Sequence, residues 1–396
     1  MRILRVALLA LAAWIAPALA EEGDALEIDL LTFAPGQVYW ERFGHNALLV
    51  HDLTDDTSTI YNYGMFDFEE KNFFLNFVRG RMHYHLAALG LSETLWFYDT
   101  EGRGILAQRL NLTAGQRAAL DKYLQWNVQP ENATYDYDYF LANCSTKLRD
   151  ALDRVLGGEL KPQLEKVPTN ATFRSEAVRL IWPDHALALA MDFGLGPLSD
   201  RPINLWERSY VPDALMDAVR HVRVNGGQPL VLDEQRLLPN HLPPPPSTLP
   251  KLAAPFLGIG LGVAIALMLL ARATGPSGRV SFSALGTFAS FALGFGGLVS
   301  LSIWAFTEHW AGARNPHVLQ FDPLCLLLMP GWIMARRADW QQAPAHRWLS
   351  IAVALIGVGG LALSFFGPGA STRHWIWLAL PMLIALAVAP MLRRSP

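Results

Sequence analysis

Cys144 is the residue of this sequence best placed for covalent chemistry. It follows Asn143, a good helix N-cap, and precedes Leu148, Ala151, Leu152 and Val155, which repeat at helical spacing until Gly157-Gly158. A helix is predicted from Cys144 to Leu156, with the sulfur in its first turn. Unpaired N–H groups and the helix dipole favour a thiolate there, the form in which cysteine becomes a nucleophile at neutral pH. The only other cysteine, Cys325, falls inside a hydrophobic run, so Cys144 has no disulfide partner. Cys144 also fits a second role, as the first member of the helix's buried stripe, and residue type alone does not separate the two.

A thiolate needs a base. His45, in Phe43-Gly44-His45-Asn46 just before an apolar strand, is a candidate, and Asn62 and Asp67 are the nearest groups by sequence that could orient its ring. His83 and His85 would share one strand face, but no third ligand at telling spacing accompanies them and no metal is assigned. Far downstream, Thr307-Glu308-His309-Trp310 and Asn315 lie between two hydrophobic runs. Glu308 and His309 are costly to bury at a bilayer, so they belong at headgroup level or in a polar cavity.

The elements that must position these groups are predicted as follows. Strands are expected over Leu26 to Phe33, Ala47 to His51 and Thr59 to Phe66, and Thr113 with Gln116 forms a capping box ahead of a helix through Leu124. Val222–Val224 and Leu230–Leu232 flank Asn225-Gly226-Gly227 as a closing hairpin. The aromatic tract Phe73–Phe77 fits either core or a membrane-facing surface, and core is the expectation. The mixture is α+β.

The chain ends are hydrophobic in two different ways. Residues 1–20 carry Arg2 and Arg5, a short apolar run and Ala18-Leu19-Ala20, the pattern of a cleaved signal peptide with a mature start at Glu21. Five spans are expected near 252–271, 283–306, 319–335, 347–366 and 374–392, giving an all-α transmembrane bundle. With residues 21–241 exported, seven arginines (Arg272, Arg279, Arg336, Arg337, Arg347, Arg393, Arg394) face the cytoplasm against three outer cations (Lys251, Arg314, Arg373). A proline-rich segment, residues 242–251, joins the exported domain to the helical domain, 252–396, as a semi-rigid spacer. Formal net charge is -3 and no basic block suggests nucleic acid.

Several strings together resemble one family. Glu41-Arg42-Phe43-Gly44-His45, Tyr61-Asn62-Tyr63-Gly64 with Phe66-Asp67-Phe68, Glu101-Gly102-Arg103, Leu110-Asn111-Leu112-Thr113 and Asn143-Cys144-Ser145-Thr146 are similar to the Lnb-type periplasmic domain, and Thr307-Glu308-His309 with Asn315 is similar to that family's membrane loop. The resemblance implies a circularly permuted papain-like (NlpC/P60-related) soluble domain in which histidine precedes cysteine. It also implies a lipoprotein N-acyltransferase of the inner membrane that needs no cofactor. Cys144 would take an acyl chain from a membrane phospholipid as a thioester, assisted by His45, and pass it to the N-terminal amine of a diacylglyceryl lipoprotein. Asn62, Asp67, Asn143, Glu308 and His309 would orient or position. A membrane-tethered cysteine peptidase or amidase acting on cell-wall peptide, and a non-catalytic envelope sensor or assembly module, are the competing readings. Oligomeric state is left open.

Overall fold

The computed structural model describes residues 22–366 and 372–393, so the expected signal peptide, Glu21 and Arg394 lie outside the described residues. The soluble part is built on a seven-stranded sheet in the order β11-β5-β1-β2-β3-β4-β6. Its strands are β1 (Leu26–Phe33), β2 (His45–Asp52), β3 (Thr57–Met65), β4 (Met82–Gly90), β5 (Ile105–Leu110) and β6 (Thr134–Tyr137), with β11 (Val231–Leu238) last in the chain. Every neighbouring pair is antiparallel. Two short ribbons pair β7 (Pro168–Thr172) with β8 (Pro202–Asn204), and β9 (Arg223–Val224) with β10 (Gln228–Pro229).

Period-two patterning gives the sheet two apolar faces. Ile28, Leu30, Leu48, Val50, Tyr61 and Tyr63 lie on one face, under helices that contribute Leu148, Leu152, Leu120, Leu124 and Leu215. Leu31, Phe33, Ala47, Leu49 and Ile60 lie on the other, against Leu91, Leu95 and Tyr98 of the helix Leu91–Thr100. The three early strands and both predicted helix starts agree with the sequence reading. The closing hairpin is corrected. Gln228–Pro229 is the second arm, and from Val231 the chain leaves the ribbon to become edge strand β11 beside β5. The Phe73–Phe77 tract is corrected in part: it opens a helix, Phe73–Arg79, that buries Phe73 and leaves Phe74 and Leu75 exposed.

Among the described residues four helices are long and apolar enough to cross a membrane: Ala253–Ala271, Pro276–Phe306, Pro344–Leu363 and Arg373–Leu392. The expected third span is not a continuous helix. It is a pair of segments, Trp310–Leu319 and Pro323–Met334, bent by 46°. Pro316 and Pro323 each remove a backbone donor, and the Asp322 carboxylate accepts from the Leu324 N–H at 2.9 Å, starting the second piece separately.

The broken segment nevertheless runs the length of its neighbour in the opposite direction. Gly312 abuts Ile303, Phe321 abuts Gly297, Leu326 abuts Gly294 and Trp332 abuts Gly286, while the Ser283 hydroxyl donates to the Trp332 carbonyl at 2.7 Å. A Cβ at Gly286, Gly294 or Gly297 would overlap its partner, so this seam depends on small residues, as close helix packing in lipid does. The proline-rich segment is also less free than a spacer: the Pro246 carbonyl accepts from Arg179 at 3.1 Å, and Leu249 packs near Val178 and Ile181.

Candidate active site

The helix carrying Cys144 spans Cys144–Val155. Asn143 caps it in a reciprocal box: its Oδ1 accepts from the Thr146 N–H at 3.0 Å, while its own N–H donates to Thr146 Oγ1 at 2.8 Å. The Asn143 Nδ2 donates to the carbonyls of Tyr210 (2.8 Å) and Tyr139 (3.1 Å), so the cap residue is clamped on both sides. Asn143 therefore sets where the helix begins, and with it the place of the sulfur. Cys144 itself is partly exposed.

His45 begins β2 and Asn62 lies in the adjacent strand β3. The Asn62 Nδ2 donates to the Ile60 carbonyl at 3.1 Å, which turns its Oδ1 toward His45 Nε2, 3.2 Å away. Only a donor satisfies that oxygen, so Nε2 carries the hydrogen and Nδ1 is left to the thiol. Burial pushes the Cys144 thiol up, but the charge and hydrogen bond of His45, the Asn46 N–H and the Ser145 hydroxyl outweigh it and hold the thiol below its ordinary value of 9.0. The site therefore places a thiol of lowered pKa beside an imidazole oriented by an amide, an arrangement suited to nucleophilic acyl chemistry.

A buried polar chain fixes these strands to the cysteine helix. Ser145 Oγ donates to Asn46 Oδ1 at 2.7 Å, and Asn46 Nδ2 donates to Thr32 Oγ1 at 2.8 Å. On the other side Gly64, with φ +90°, abuts the helix start: a Cβ there would stand 3.4 Å from Cys144 Cβ. That φ calls for glycine, whereas the clearance is that of ordinary contact. The wall behind His45 is aromatic, with Phe33 5.5 Å from the imidazole and Tyr98 4.3 Å from Phe33. Burial pushes the Tyr98 hydroxyl up to about 12, so it stays protonated. Arg103 lies over the Tyr98 ring at 4.6 Å and is paired with Glu41 at 3.4 Å, which joins the Glu41–His45 and Glu101–Arg103 strings into one structure.

The other candidates lie elsewhere. Asp67 is exposed in the turn after β3, where its carboxylate accepts from the Glu69 N–H at 2.8 Å, and it does not reach His45. Glu308 pairs with Arg81 at 2.7 Å, while His309 Nε2 donates to the Phe77 carbonyl at 3.1 Å and its ring stacks on Tyr139 at 5.9 Å. Both are thus held against the soluble domain, one aromatic ring away from the Asn143 cap. His83 pairs with Glu70. Asn46, Ser145, Tyr98 and Arg103 were missed as site residues. Asn46 and Ser145 adjoin His45 and Cys144 and Arg103 belongs to the Glu101–Arg103 string, whereas Tyr98 carries no such signal.

The loop after Phe306 docks more widely. Trp310 Nε1 donates to the Asp138 carboxylate at 2.7 Å, Asn315 Nδ2 donates to the Phe193 carbonyl at 2.7 Å, and the Gly196 N–H donates to the Ala311 carbonyl at 2.6 Å. None of the curated proteins and none of the solved structures compared matches this chain. Residues 20–177, which contain His45, Asn62 and Cys144, match the family model of the Lnb N-terminal periplasmic domain, and the chain is accordingly a membrane protein that carries an Lnb-type periplasmic domain ahead of its apolar helices.

Proposed function

We propose that this protein is a lipoprotein N-acyltransferase of the bacterial inner membrane, working through a Cys144 thioester. The observation that carries the reading is the thiol of Cys144, held low beside a His45 that Asn62 orients, inside an Lnb-type domain. Support also comes from the aromatic wall behind His45 and from a membrane loop that packs directly on the soluble domain.

In the first half-reaction the thiolate attacks an ester carbonyl of a phospholipid. The S–C bond forms and the ester C–O bond breaks, and the imidazolium of His45 gives its proton to the departing alkoxide of the lysophospholipid. In the second, the α-amine of a diacylglyceryl cysteine attacks the thioester. The N–C bond forms, the C–S bond breaks, and His45 accepts the amine proton as the thiolate returns. The Cys144 N–H, one of the first-turn amides that a helix cannot satisfy internally, is available to the oxyanion of each tetrahedral intermediate.

The test is to incubate the purified protein with acyl-labelled phospholipid, then add a diacylated lipopeptide. A hydroxylamine-sensitive label on Cys144 that moves to an amide supports the reading. Absence of label, together with full complementation by Cys144→Ala, overturns it. Passage of the label to water alone identifies a lipase.

A further inference from the structure

The helix Phe73–Arg79 ends where the second spanning helix ends. The Glu308 N–H, two residues past Phe306, donates to the Arg79 carbonyl at 2.8 Å, and His309 donates to Phe77. Arg81 Nη2 lies 2.7 Å from Glu308. These contacts hold the short helix at the level of the membrane surface. Its buried side uses Phe73, while Phe74 is 71 % exposed and Val78 62 % exposed, with Leu75 beside them. Side chains four apart share one helix face, so this is a continuous apolar stripe left uncovered among the described residues.

The stripe continues toward the catalytic centre. Phe74 meets Phe68 at 6.4 Å between ring centroids, and Phe68 meets Phe66 at 4.9 Å and the exposed Trp40 at 5.7 Å. Phe66 lies two residues after Gly64, the glycine against Cys144, and Trp40 lies five residues before His45.

We propose that Trp40, Phe68, Phe74 and Val78 are a lipid-contacting surface immersed in the outer leaflet, and that an acyl chain leaves the bilayer across it to reach Cys144. Of the possible occupants a bilayer is favoured because the stripe is continuous with the end of a spanning helix, and because exposed Trp and Phe at that level are the side chains that anchor proteins at the lipid interface. The membrane contact stands on these observations alone. Only the route of the acyl chain rests on the acyltransferase reading.

The experiment uses the full chain carrying Cys144→Ser, reconstituted in vesicles of phosphatidylcholine and phosphatidylglycerol, with a nitroxide attached at Phe74→Cys or Val78→Cys. Leu53→Cys, at the far end of β2, is the aqueous reference, and the Cys144→Ser chain without added cysteine controls for Cys325. Collision with oxygen is expected to exceed collision with an aqueous nickel chelate several-fold relative to the reference, as for a side chain about 5 Å below the headgroups. Equal nickel access at all three positions overturns the contact. In the chain with native Cys144, Phe74→Asp with Val78→Asp should lower the rate of Cys144 acylation from vesicles at least tenfold, with the thermal transition as a folding control. An unchanged rate overturns the route. A depth signal without any acylation of the native chain would count against the acyltransferase reading and leave the membrane contact standing.

Discussion

His374, in the first turn of the last spanning helix, donates through Nε2 to the Asp192 carboxylate of the soluble domain at 2.7 Å. The neighbouring Trp375 Nε1 donates to the same oxygen at 2.7 Å, and Arg174 stands 3.6 Å from the other. All three charged or titratable partners are buried.

This junction should be costly to break. Asp192→Ala leaves Arg174 beside Asp200 but strands the donors of His374 and Trp375, and removal of one member of a buried ionic cluster costs about 3–5 kcal/mol. Thermal unfolding in detergent should show a lower transition, and proteolysis should cut sooner near residues 242–251. Burial pushes the Asp192 carboxyl up, but its bond to His374 and the Arg174 charge outweigh this and hold it below the ordinary 3.8. A depressed value stabilises above the ordinary pKa and is lost as pH falls through the folded one. The melting temperature should therefore lose this contribution only below about pH 4, and Asp192→Asn should flatten that limb.

The thiol makes a second prediction. Because its value is lowered, alkylation of Cys144 by iodoacetamide should reach half its maximal rate below pH 9, and His45→Ala should move the midpoint upward. Asn62→Ala frees the ring without removing it. Acylation should slow by roughly 10² while the alkylation midpoint moves less than in His45→Ala, since loss of positioning alone has about that effect on rate.

Gly64→Ala combines a left-handed backbone with a new contact on Cys144. The expected cost is on the order of 1 kcal/mol in stability, visible as a small drop in the thermal transition. Acylation should fall with it, because the strained backbone lies against Cys144.

Gly297→Leu tests the broken span. Its side chain would occupy the place of the Phe321 carbonyl, and overpacking of this kind costs about 1–3 kcal/mol. Yield of folded protein and the thermal transition should both fall, whereas Gly262→Leu, on an uncrowded face of the first spanning helix, should leave them unchanged.

Local chemistry explains what the sequence could reveal. The Cys144 helix and its cap are encoded within a few residues, and β1, β2 and β3 show their alternation directly. Asn62 and Asp67 were equal candidates in sequence. Strand parity separates them, because His45, Ala47 and Leu49 share a sheet face with Ile60 and Asn62, while Asp67 lies past the end of β3. The bend at 46° was foreshadowed by Pro316, Pro323 and Asp322, which hydropathy alone passes over. The Arg103–Glu41 pair and the Asp192–His374 bond join segments with no local pattern in common, so sequence periodicity carries no trace of them.

The Asp192–His374 bond also orders events during synthesis. A chain that stops anywhere before residue 374 has neither donor for the Asp192 carboxylate, and one that stops before residue 307 also lacks the loop that packs on Phe77, Asp138 and Phe193. The periplasmic half emerges first, yet two of the donors to Asp192 are delivered by a helix whose His374 is synthesised 182 residues later. A chain cut short before that helix therefore carries Asp192 without these two donors, and the helix that supplies them becomes the molecule's own certificate of assembly.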